Sequence, residues 1–320
     1  MKILITGAAG FIGYHISKRL CEEGMEVLGI DNLNSYYDIR LKEDRLSILE
    51  KYENFSFEKI DLADKAHLME YFKKERPDIV INLAAQPGVR YSISHPDESV
   101  RNNINGFFNL LECCREYPVK ELIYASSSSV YGNTDKIPFS VDDNVDNPVS
   151  LYAATKKTNE LMAYTYHHLY NIPVTGLRFF TVYGPYGRPD MAYFSFSEKI
   201  MKDIPIEIFN NGDMMRDFTY VDDVTESVYR LVNKEIINEY RIFNIGGEHP
   251  VNLLYFIETL EKNLGKEAKK VFKEMQPGDV KITVADSSDL AAYTGFKPEI
   301  KIEDGLSRFV KWFMEYYKYN

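Results

Sequence analysis

Short apolar runs alternate with amphipathic stretches along the first 180 residues of the chain. The runs show little polar alternation, which is typical of strands buried on both faces, and the intervening stretches carry apolar residues at helical spacing. Strands separated by helices predict an α/β fold with a parallel sheet covered on both faces. The predicted strands are 2–6, 26–30, 55–60, 78–84, 121–126 and 174–179. The predicted helices lie near 12–23, 64–75, 99–116 and 151–169.

After residue 180 the alternation of apolar runs and amphipathic stretches becomes less regular. Turn-rich segments that carry charge, such as "YGPYGRPDM" and "FNNGDMMRDF", alternate with helices predicted near 193–202, 222–233, 252–263 and 303–317. We therefore expect a doubly wound domain at 1–180 and a smaller substrate-binding lobe at 181–320, some of whose elements return to the first domain. Ligands of a doubly wound sheet bind beyond the carboxyl ends of its strands.

Composition narrows the choice of partners and compartment. The formal net charge is -10 and no basic cluster offsets it, so nucleic acid and anionic membranes are not expected partners. Three cysteines (Cys21, Cys113 and Cys114) fit neither a disulfide framework nor a zinc site, and no metal is expected. No apolar run approaches membrane-spanning length, and "MKILITG" lacks the core of a signal peptide. We expect a soluble, cytoplasmic protein.

The segment "TGAAGFIG" (6–13) follows the first predicted strand and opens the first predicted helix. Gly7, Gly10 and Gly13 would let the backbone turn tightly and approach a pyrophosphate at the helix N-terminus. Glycines alone are weak evidence, but Asp31 ends the second strand, where a carboxylate accepts both ribose hydroxyls of an adenosine and repels a 2′-phosphate. The arrangement predicts a Rossmann-type domain that binds NAD rather than NADP.

The segment "SLYAATKK" (150–157) contains Tyr152 and Lys156, four residues apart and therefore on one face of a helix. A free phenol has a pKa near 10, and a neighbouring ammonium favours the phenolate that a general base requires. Such a pair alone is usually a chance surface pattern. Together with the glycine loop, Asp31 and a hydroxyl-rich strand end, it indicates a dehydrogenase-type active site.

Motifs along nearly the whole chain resemble the extended short-chain dehydrogenases, and among these the nucleotide-sugar 4-epimerases. They include "DNLN", "IDLAD", "NLAAQ", "SSSSVYG", "YAATK", "RFFTVYGP", "RDFTYVDDV" and "QPGDV". Within that family the chain is most similar to UDP-glucuronate 4-epimerases, through "DNLNSYYDIRLKEDRL" (31–46), "AAQPGVRYS" (84–92) and "YGPYGRPDMA" (183–192).

This resemblance implies roles for the serines of "ASSSSVYG" (125–132). It implies that Ser127 completes a triad with Tyr152 and Lys156, with Ser126 and Ser128 as secondary contacts. Related dehydratases and decarboxylases carry an acidic residue just before "VYG", whereas this chain has only hydroxyls there. A hydroxyl supplies a proton less readily than a carboxylic acid, which favours reversible oxidation at C4 over elimination.

The resemblance also implies which residues contact NAD and the UDP-sugar substrate. The expected NAD contacts are Gly7, Gly10, Phe11, Ile12, Gly13, Asp31, Asn32, Asp61, Leu62, Leu83, Ala84, Ala85, Asn102, Tyr152 and Lys156. For the substrate, Arg216 would bind the diphosphate, Phe209 would stack on uracil and Asp279 would reach a ribose hydroxyl. Phe209 could instead be a core residue.

Selection of an acidic sugar requires a fixed cation or a dense set of donors. Arg188 is the first candidate, because a guanidinium can hold a carboxylate through two hydrogen bonds. Ser127, Ser128 and Thr181 could add hydroxyl donors, and Arg90 is a second candidate that could equally be a loop residue.

Two other functions stay open from the sequence. The first is a UDP-glucose or UDP-N-acetylglucosamine 4-epimerase, which uses the same chemistry. The second is a non-catalytic NAD(H)-sensing protein on the same fold, although such sensors often lack the tyrosine or the lysine. The helices at 99–116 and 151–169 resemble the pair that forms a four-helix dimer interface in this family, which implies a homodimer.

Overall fold

The structure is a computed structural model and describes residues 1–275 and 280–319. Its strands are Lys2–Thr6 (β1), Glu26–Asp31 (β2), Phe55–Lys59 (β3), Ile79–Asn82 (β4), Glu121–Ser127 (β5), Val174–Phe179 (β6), Thr181–Tyr183 (β7), Ile206–Ile208 (β8), Met215–Tyr220 (β9), Tyr240–Ile245 (β10), Pro250–Asn252 (β11) and Lys270–Phe272 (β12).

The α-helices are Phe11–Glu22 (α1), Arg40–Leu49 (α2), Lys65–Glu75 (α3), Val89–Ser94 (α4), Pro96–Val100 (α5), Gly106–Glu116 (α6), Leu151–Tyr170 (α7), Ala192–Met201 (α8), Val221–Val232 (α9), Leu253–Leu264 (α10), Ser288–Thr294 (α11) and Ile302–Tyr317 (α12). A π-helical turn, Arg101–Asn105, joins α5 to α6, so the helix predicted at 99–116 is divided. A 3₁₀ turn, Ser128–Tyr131, follows β5 directly.

Seven strands of the described chain form one sheet in the order β10-β6-β5-β4-β1-β2-β3. The pairs from β3 to β6 are parallel, with Ile3 of β1 opposite Val27 of β2 and Ile79 of β4. The strand order reverses direction at β1, where β2 lies on one side and β4 on the other. Such a switch point opens a crevice at the carboxyl ends of the strands. The predicted doubly wound α/β fold and its six strands are confirmed.

A core of fully buried side chains holds helices against this sheet. Leu4, Val80 and Leu122 on the strands lie in one cluster with Phe72 of α3 and Leu110 of α6. Each is 0% exposed, so these apolar surfaces contribute the main favourable term for folding.

Several elements of the fold were not predicted, among them helix α2 and strand β10. Helix α2 buries Lys42 and Arg45 together with Leu41, Leu46 and Leu49, so its inner face does not show the apolar stripe that marks a helix in a sequence. Strand β10 has a buried second half and a partly exposed first half, and it adds a seventh strand next to β6.

The chain divides into two compact units. The first consists of Met1–Asp135, Val141–Phe179 and Val228–Asn244, and the second of Lys136–Ser140, Phe180–Ser227 and Ile245–Asn320. The predicted domain boundary near 180 lies where the first unit passes to the second, and 228–244 is a later segment within the first unit. The assignment of NAD to one part and the UDP-sugar to the other stays a prediction.

The second unit has its own small sheets and an aromatic core. Strand β9 pairs in parallel with β7 and antiparallel with β11, and β8 pairs with β12. Phe194 of α8 packs against Phe309 and Phe313 of α12, and Phe218 stacks on Phe256 at 4.7 Å between ring centroids. Among the described helices, none has the length and apolar composition that crossing a membrane requires.

Candidate active site

The loop between β1 and α1 has no room for side chains at its glycines. A Cβ on Gly7 would lie 2.8 Å from the backbone nitrogen of Ala84, and one on Gly13 would lie 2.1 Å from the carbonyl oxygen of Gly7. Gly7 also has a φ of +74°, a conformation that L side chains rarely adopt. The backbone nitrogens of Gly7 and Ala8 both donate to the carbonyl oxygen of Ile30. Bare main chain is therefore presented at the start of α1.

Helix α1 begins with backbone N–H groups that no side chain caps. Its N-cap residue is Gly10, and its first turn contains no acidic residue. The N–H groups of Phe11, Ile12 and Gly13 therefore have no intrahelical acceptor, and the helix dipole favours an anion in front of them. The glycine loop and this helix end together fit the diphosphate of a dinucleotide.

Asp31 ends β2 and is 7% exposed. Its Oδ1 accepts a hydrogen bond from the backbone nitrogen of Leu33 at 2.8 Å. The Nζ of buried Lys42 lies 3.9 Å from the same oxygen and donates to Asn34 at 2.9 Å. Burial lowers the pKa of Lys42, and the charge of Asp31 opposes that shift. The cation beside Asp31, Lys42, was not predicted from the sequence.

Arg45 is a second unpredicted residue beside the glycine loop. Its guanidinium is fully buried, and its Nη1 donates to the carbonyl oxygen of Ala9 at 2.8 Å and to the Tyr37 hydroxyl at 2.7 Å. Helix α2 thereby holds one carbonyl of the glycine loop. The segment "DNLNSYYDIRLKEDRL" contains both Lys42 and Arg45. In the sequence it indicated similarity to a family, but it did not indicate that these two side chains are buried.

The carboxyl end of β4 lies beside the glycine loop. The Thr6 hydroxyl donates to Asn82 at 2.6 Å and accepts from the backbone nitrogen of Ala84 at 3.1 Å. The strand ends at Asn82, so Leu83, Ala84 and Ala85 belong to the segment beyond it. Three predicted NAD contacts are thus placed at the edge where ligands of doubly wound sheets bind.

Asp61, Leu62 and Asn102 are also placed in the first unit. The Oδ2 of Asp61 accepts from the guanidinium of Arg101 at 2.8 Å, Leu62 is buried, and Asn102 donates to the carbonyl oxygen of Glu98 at 2.8 Å. Asn32 is half-buried directly after β2. Contact of these residues with NAD stays a prediction.

Helix α7 carries Tyr152 and Lys156 in its first two turns, and Ser150 caps it by accepting from the Ala153 nitrogen. The Nζ of Lys156 lies 6.0 Å from the centroid of the Tyr152 ring and donates to the carbonyl oxygen of Ala125 at 2.8 Å. Tyr152 is half-buried, whereas Lys156 is 3% exposed. The structure therefore brings the predicted tyrosine–lysine pair to the carboxyl end of β5.

Burial lowers the pKa of Lys156 from its ordinary 10.5 to about 8. The ammonium has lost water, and it donates a hydrogen bond to a neutral carbonyl. The Lys156 ammonium, which would stabilise a phenolate at Tyr152, therefore keeps its charge at a cost in solvation free energy.

The shifted lysine makes a prediction about stability. Between pH about 8 and 10.5 the unfolded chain keeps the Lys156 proton and the folded chain releases it, so this group makes the fold more stable as pH rises. We expect the free energy of unfolding of wild type minus that of Lys156→Met to rise through this window. Chemical denaturation of NAD-stripped protein across the window measures this difference, and a difference independent of pH would contradict the shift.

The serines after Ala125 have different surroundings. The Ser127 hydroxyl lies 3.2 Å from both the hydroxyl and the backbone nitrogen of Ser129, and Ser128 is half-buried. Ser126, expected as a secondary substrate contact, donates to the buried carboxylate of Glu160 at 2.7 Å. The acid–base groups presented by residues 127–129 are thus hydroxyls.

Asn103 is a buried polar residue that the sequence did not single out. It lies in the π-helical turn, and its amide nitrogen donates to the Gln86 carbonyl at 3.0 Å and to the Thr155 hydroxyl at 3.1 Å. Its amide oxygen accepts from the Gln86 nitrogen, and its carbonyl oxygen accepts from Asn159. Asn103 therefore connects the segment beyond β4 to helix α7, next to Lys156. A π-helical turn often marks a functional site.

Four of the predicted substrate contacts that the structure describes lie in the second unit: Thr181, Phe209, Arg216 and Arg188. Thr181 begins β7 and is half-buried, and Phe209 begins a 3₁₀ turn, also half-buried. Arg216 lies on β9, where its Nη1 donates to the carbonyl oxygens of Met215 at 2.9 Å and Lys281 at 3.1 Å. Their roles stay predictions.

Arg188 already holds a carboxylate. Its Nε donates to one oxygen of Asp190 at 3.0 Å and its Nη2 to the other at 2.5 Å. This two-point geometry is the one expected for recognition of a sugar carboxylate. Arg90 is exposed on the short helix α4 of the first unit, and Asp279 lies outside the described residues.

Comparison with known proteins places this geometry in context. Residues 3–246 match the model of the NAD dependent epimerase/dehydratase family. The chain is 54% identical to Protein CapI of Staphylococcus aureus, over 99% of this chain and 100% of that protein. It is 45% identical to a UDP-glucuronate 4-epimerase of Thermodesulfobacterium geofontis, over 98% of this chain and 96% of that protein.

A solved structure is similar over the same extent. The UDP-glucuronic acid 4-epimerase of Bacillus cereus, crystallised with UDP-glucuronic acid and NAD, is 36% identical and superposes with a TM-score of 0.93. The similarity covers 99% of this chain and 100% of that one.

Proposed function

Because this chain belongs to the NAD dependent epimerase/dehydratase family, we propose that it acts as a UDP-glucuronate 4-epimerase. It interconverts UDP-glucuronate and UDP-galacturonate through a transient 4-keto sugar, with NAD as its bound cofactor. The relatives named UDP-glucuronate 4-epimerase align with nearly the whole chain, which supports this substrate.

One structural feature indicates the type of reaction. Tyr152 and buried Lys156 lie at the carboxyl end of β5, where residues 127–129 offer hydroxyls and no carboxyl group. A phenol next to an ammonium suits removal and return of an alcohol proton. Elimination or decarboxylation chemistry would call for an acid at this strand end, so the geometry favours reversible oxidation of C4.

The first unit supplies residues for each part of NAD. The glycine loop and the N-terminus of α1 hold the diphosphate, and Asp31 accepts hydrogen bonds from the adenosine ribose. Asn32, Asp61, Leu62 and Asn102 surround the adenosine. Leu83, Ala84, Ala85, Tyr152 and Lys156 approach the nicotinamide half.

When bound, NAD supplies reversible hydride transfer to and from C4 of the sugar. Tyr152, as a phenolate, takes the proton of the 4-hydroxyl as C4 is oxidised and returns it when C4 is reduced on its other face. The Lys156 ammonium stabilises the phenolate, and the Ser127 hydroxyl bonds the same sugar oxygen. Positioning of the sugar around these groups is the protein's main contribution.

The uridine diphosphate is held by groups that leave the sugar ring free to turn. Arg216 binds the diphosphate, Phe209 stacks on uracil and Asp279 reaches the ribose. Arg188 takes the uronate carboxylate in place of Asp190, and Ser127, Ser128 and Thr181 add hydroxyl donors. Arg90 is the alternative cation for the same carboxylate.

Asp31→Ala should weaken retention of NAD by about 10- to 100-fold, because a charged hydrogen-bond acceptor for the ribose is lost. With the carboxylate gone, the Lys42 ammonium remains and favours a 2′-phosphate, so discrimination against NADP should relax. Cofactor content after purification and titration with both cofactors measure the two effects. Asp38→Ala, which removes an exposed acid nearby, is the matched control. Full NAD content in Asp31→Ala would refute the ribose assignment.

We also propose a cytoplasmic homodimer. Phe108 on α6 is 41% exposed, and Leu161 and Tyr164 on α7 are 57% and 53% exposed. Apolar side chains exposed on two neighbouring helices suit a helical interface between two copies. The three cysteines are free and buried, which suits a reducing compartment. Light scattering of the purified protein tests the dimer.

The proposed function is tested with purified protein and no added cofactor. Incubation with UDP-glucuronate, UDP-glucose and UDP-N-acetylglucosamine, followed by chromatographic separation of the 4-epimers, should yield UDP-galacturonate far faster than the neutral epimers. Preferred turnover of either neutral sugar would replace the proposed substrate. Failure to convert all three would leave the NAD(H)-sensing alternative.

A further inference from the structure

The stretch of serines is held at both ends by buried polar contacts. At its start, the Ser126 hydroxyl donates to Oε1 of Glu160 at 2.7 Å. At its end, the Tyr131 hydroxyl accepts from Nη1 of Arg178 at 3.0 Å and donates to the amide oxygen of Asn244 at 2.6 Å. None of these residues is more than 4% exposed. Ser127, Ser128 and Ser129 lie between the two attachment points.

One ion pair joins the two attachment points. The Nε and Nη2 of Arg178 donate to the two carboxylate oxygens of Glu160 at 2.9 and 3.0 Å. The guanidinium also lies 4.9 Å from the centroid of the Tyr131 ring. Glu160 belongs to α7 and Arg178 to β6, and the other three members lie on β5, the 3₁₀ turn and β10. We refer to the set as the buried network, and its members are Ser126, Tyr131, Glu160, Arg178 and Asn244.

The buried network continues the spacing of the tyrosine–lysine pair. Glu160 follows Lys156 by four residues, as Lys156 follows Tyr152, so the three lie along one face of α7. Lys156 holds the carbonyl oxygen of Ala125, and Glu160 holds the hydroxyl of the next residue. Successive turns of α7 thereby bind successive residues at the end of β5.

We propose that the buried network positions the Ser127 hydroxyl relative to Tyr152 for the C4 reaction. The inference rests on the proposed function and assigns a role to buried residues that the proposed function does not use. The position of Ser127 is constrained, because Ser126 before it and Tyr131 after it are both hydrogen-bonded to the buried ion pair. Tyr131 and Ser126 are positioning residues for the hydroxyl between them.

The buried network acts by fixing the position of Ser127 and not by changing the charge near Tyr152. Glu160 and Arg178 neutralise each other through two hydrogen bonds, and burial alone accounts for the lowered pKa of Lys156. Substitution of Glu160 would leave a buried guanidinium without its partner and endanger folding. Ser126→Ala and Tyr131→Phe each remove one hydroxyl from the network and leave the ion pair in place, so they test position without that risk.

Each of these two variants should fold, keep its NAD and lower kcat for UDP-glucuronate by roughly three- to tenfold, with KM changed less than about twofold. Tyr124→Phe is the matched control, because Tyr124 is a fully buried tyrosine of β5, the strand of Ser126, and its hydroxyl faces that of Tyr240. The control should leave kcat unchanged. Unchanged kcat in both test variants would overturn the inference.

A double-mutant cycle separates positioning from general loss of structure. In a Ser127→Ala background, Tyr131→Phe should change the residual kcat by less than about twofold, since the hydroxyl it positions is gone. The same factor in both backgrounds would show that Tyr131 does not act through Ser127 and would overturn the inference while the proposed function stands. A wild-type protein without epimerase activity would overturn the proposed function and this inference with it.

Discussion

Tyr152→Phe should fold, retain NAD and lose epimerase activity by roughly 10²- to 10⁴-fold, the usual contribution of a general acid–base group. The substitution removes one oxygen and leaves the ring on α7, 6.0 Å from the Lys156 ammonium in the wild type. The loss should fall on kcat, because the phenol exchanges a proton with the 4-hydroxyl only as C4 is oxidised or reduced. Initial rates with UDP-glucuronate measure it.

The matched control is Tyr170→Phe, at the end of the same helix, where the tyrosine is 45% exposed. This variant should keep wild-type rates. Near-normal turnover in Tyr152→Phe would remove Tyr152 from its assigned role. Equal losses in both variants would point to a general disturbance of α7.

Arg188→Ala should impair UDP-glucuronate about 10- to 150-fold in kcat/KM and impair UDP-glucose much less. Loss of one partner of a charged hydrogen bond costs roughly 1.5–3 kcal/mol, which sets this range. The present contact with both oxygens of Asp190 shows that the guanidinium is oriented to hold a carboxylate. Arg188→Lys should recover only part of the loss, because an ammonium lacks the planar fork.

Asp190→Ala is the control for the Arg188 prediction, because it removes the internal carboxylate and keeps the guanidinium. It should preserve the preference for UDP-glucuronate over UDP-glucose. Equal losses of Arg188→Ala on the acidic and neutral sugars would mean that Arg188 serves another part of the substrate or the loop itself. Arg90 would then be the next candidate.

Local patterns accounted for much of the fold and for the placement of the tyrosine–lysine pair. Strands β1 and β6 have the predicted bounds, because their apolar runs are bounded by clear turn or helix signals. The contact of Gly7 with Ala84 follows from the order of a doubly wound sheet, in which β1 and β4 are neighbours.

Buried charges explain part of what could not be predicted. Lys42 and Arg45 made the inner face of α2 look like a solvated surface, so the helix itself was overlooked. The Ser126 hydroxyl bonds to Glu160, whose charge is matched by Arg178 from another strand. A hydrophobic pattern treats each of these residues as exposed, and only the three-dimensional pairing shows that their charges are satisfied inside the protein.

In the proposed mechanism, the enzyme inverts C4 by removing and returning the same hydrogen. UDP-glucuronate that carries deuterium at C4 tests it most directly, in ordinary water and with no added cofactor. Mass spectrometry and NMR of the product should find UDP-galacturonate with deuterium retained at C4, at a yield independent of added NAD. Loss of deuterium to solvent, or a product lacking the carboxyl group, would contradict the account.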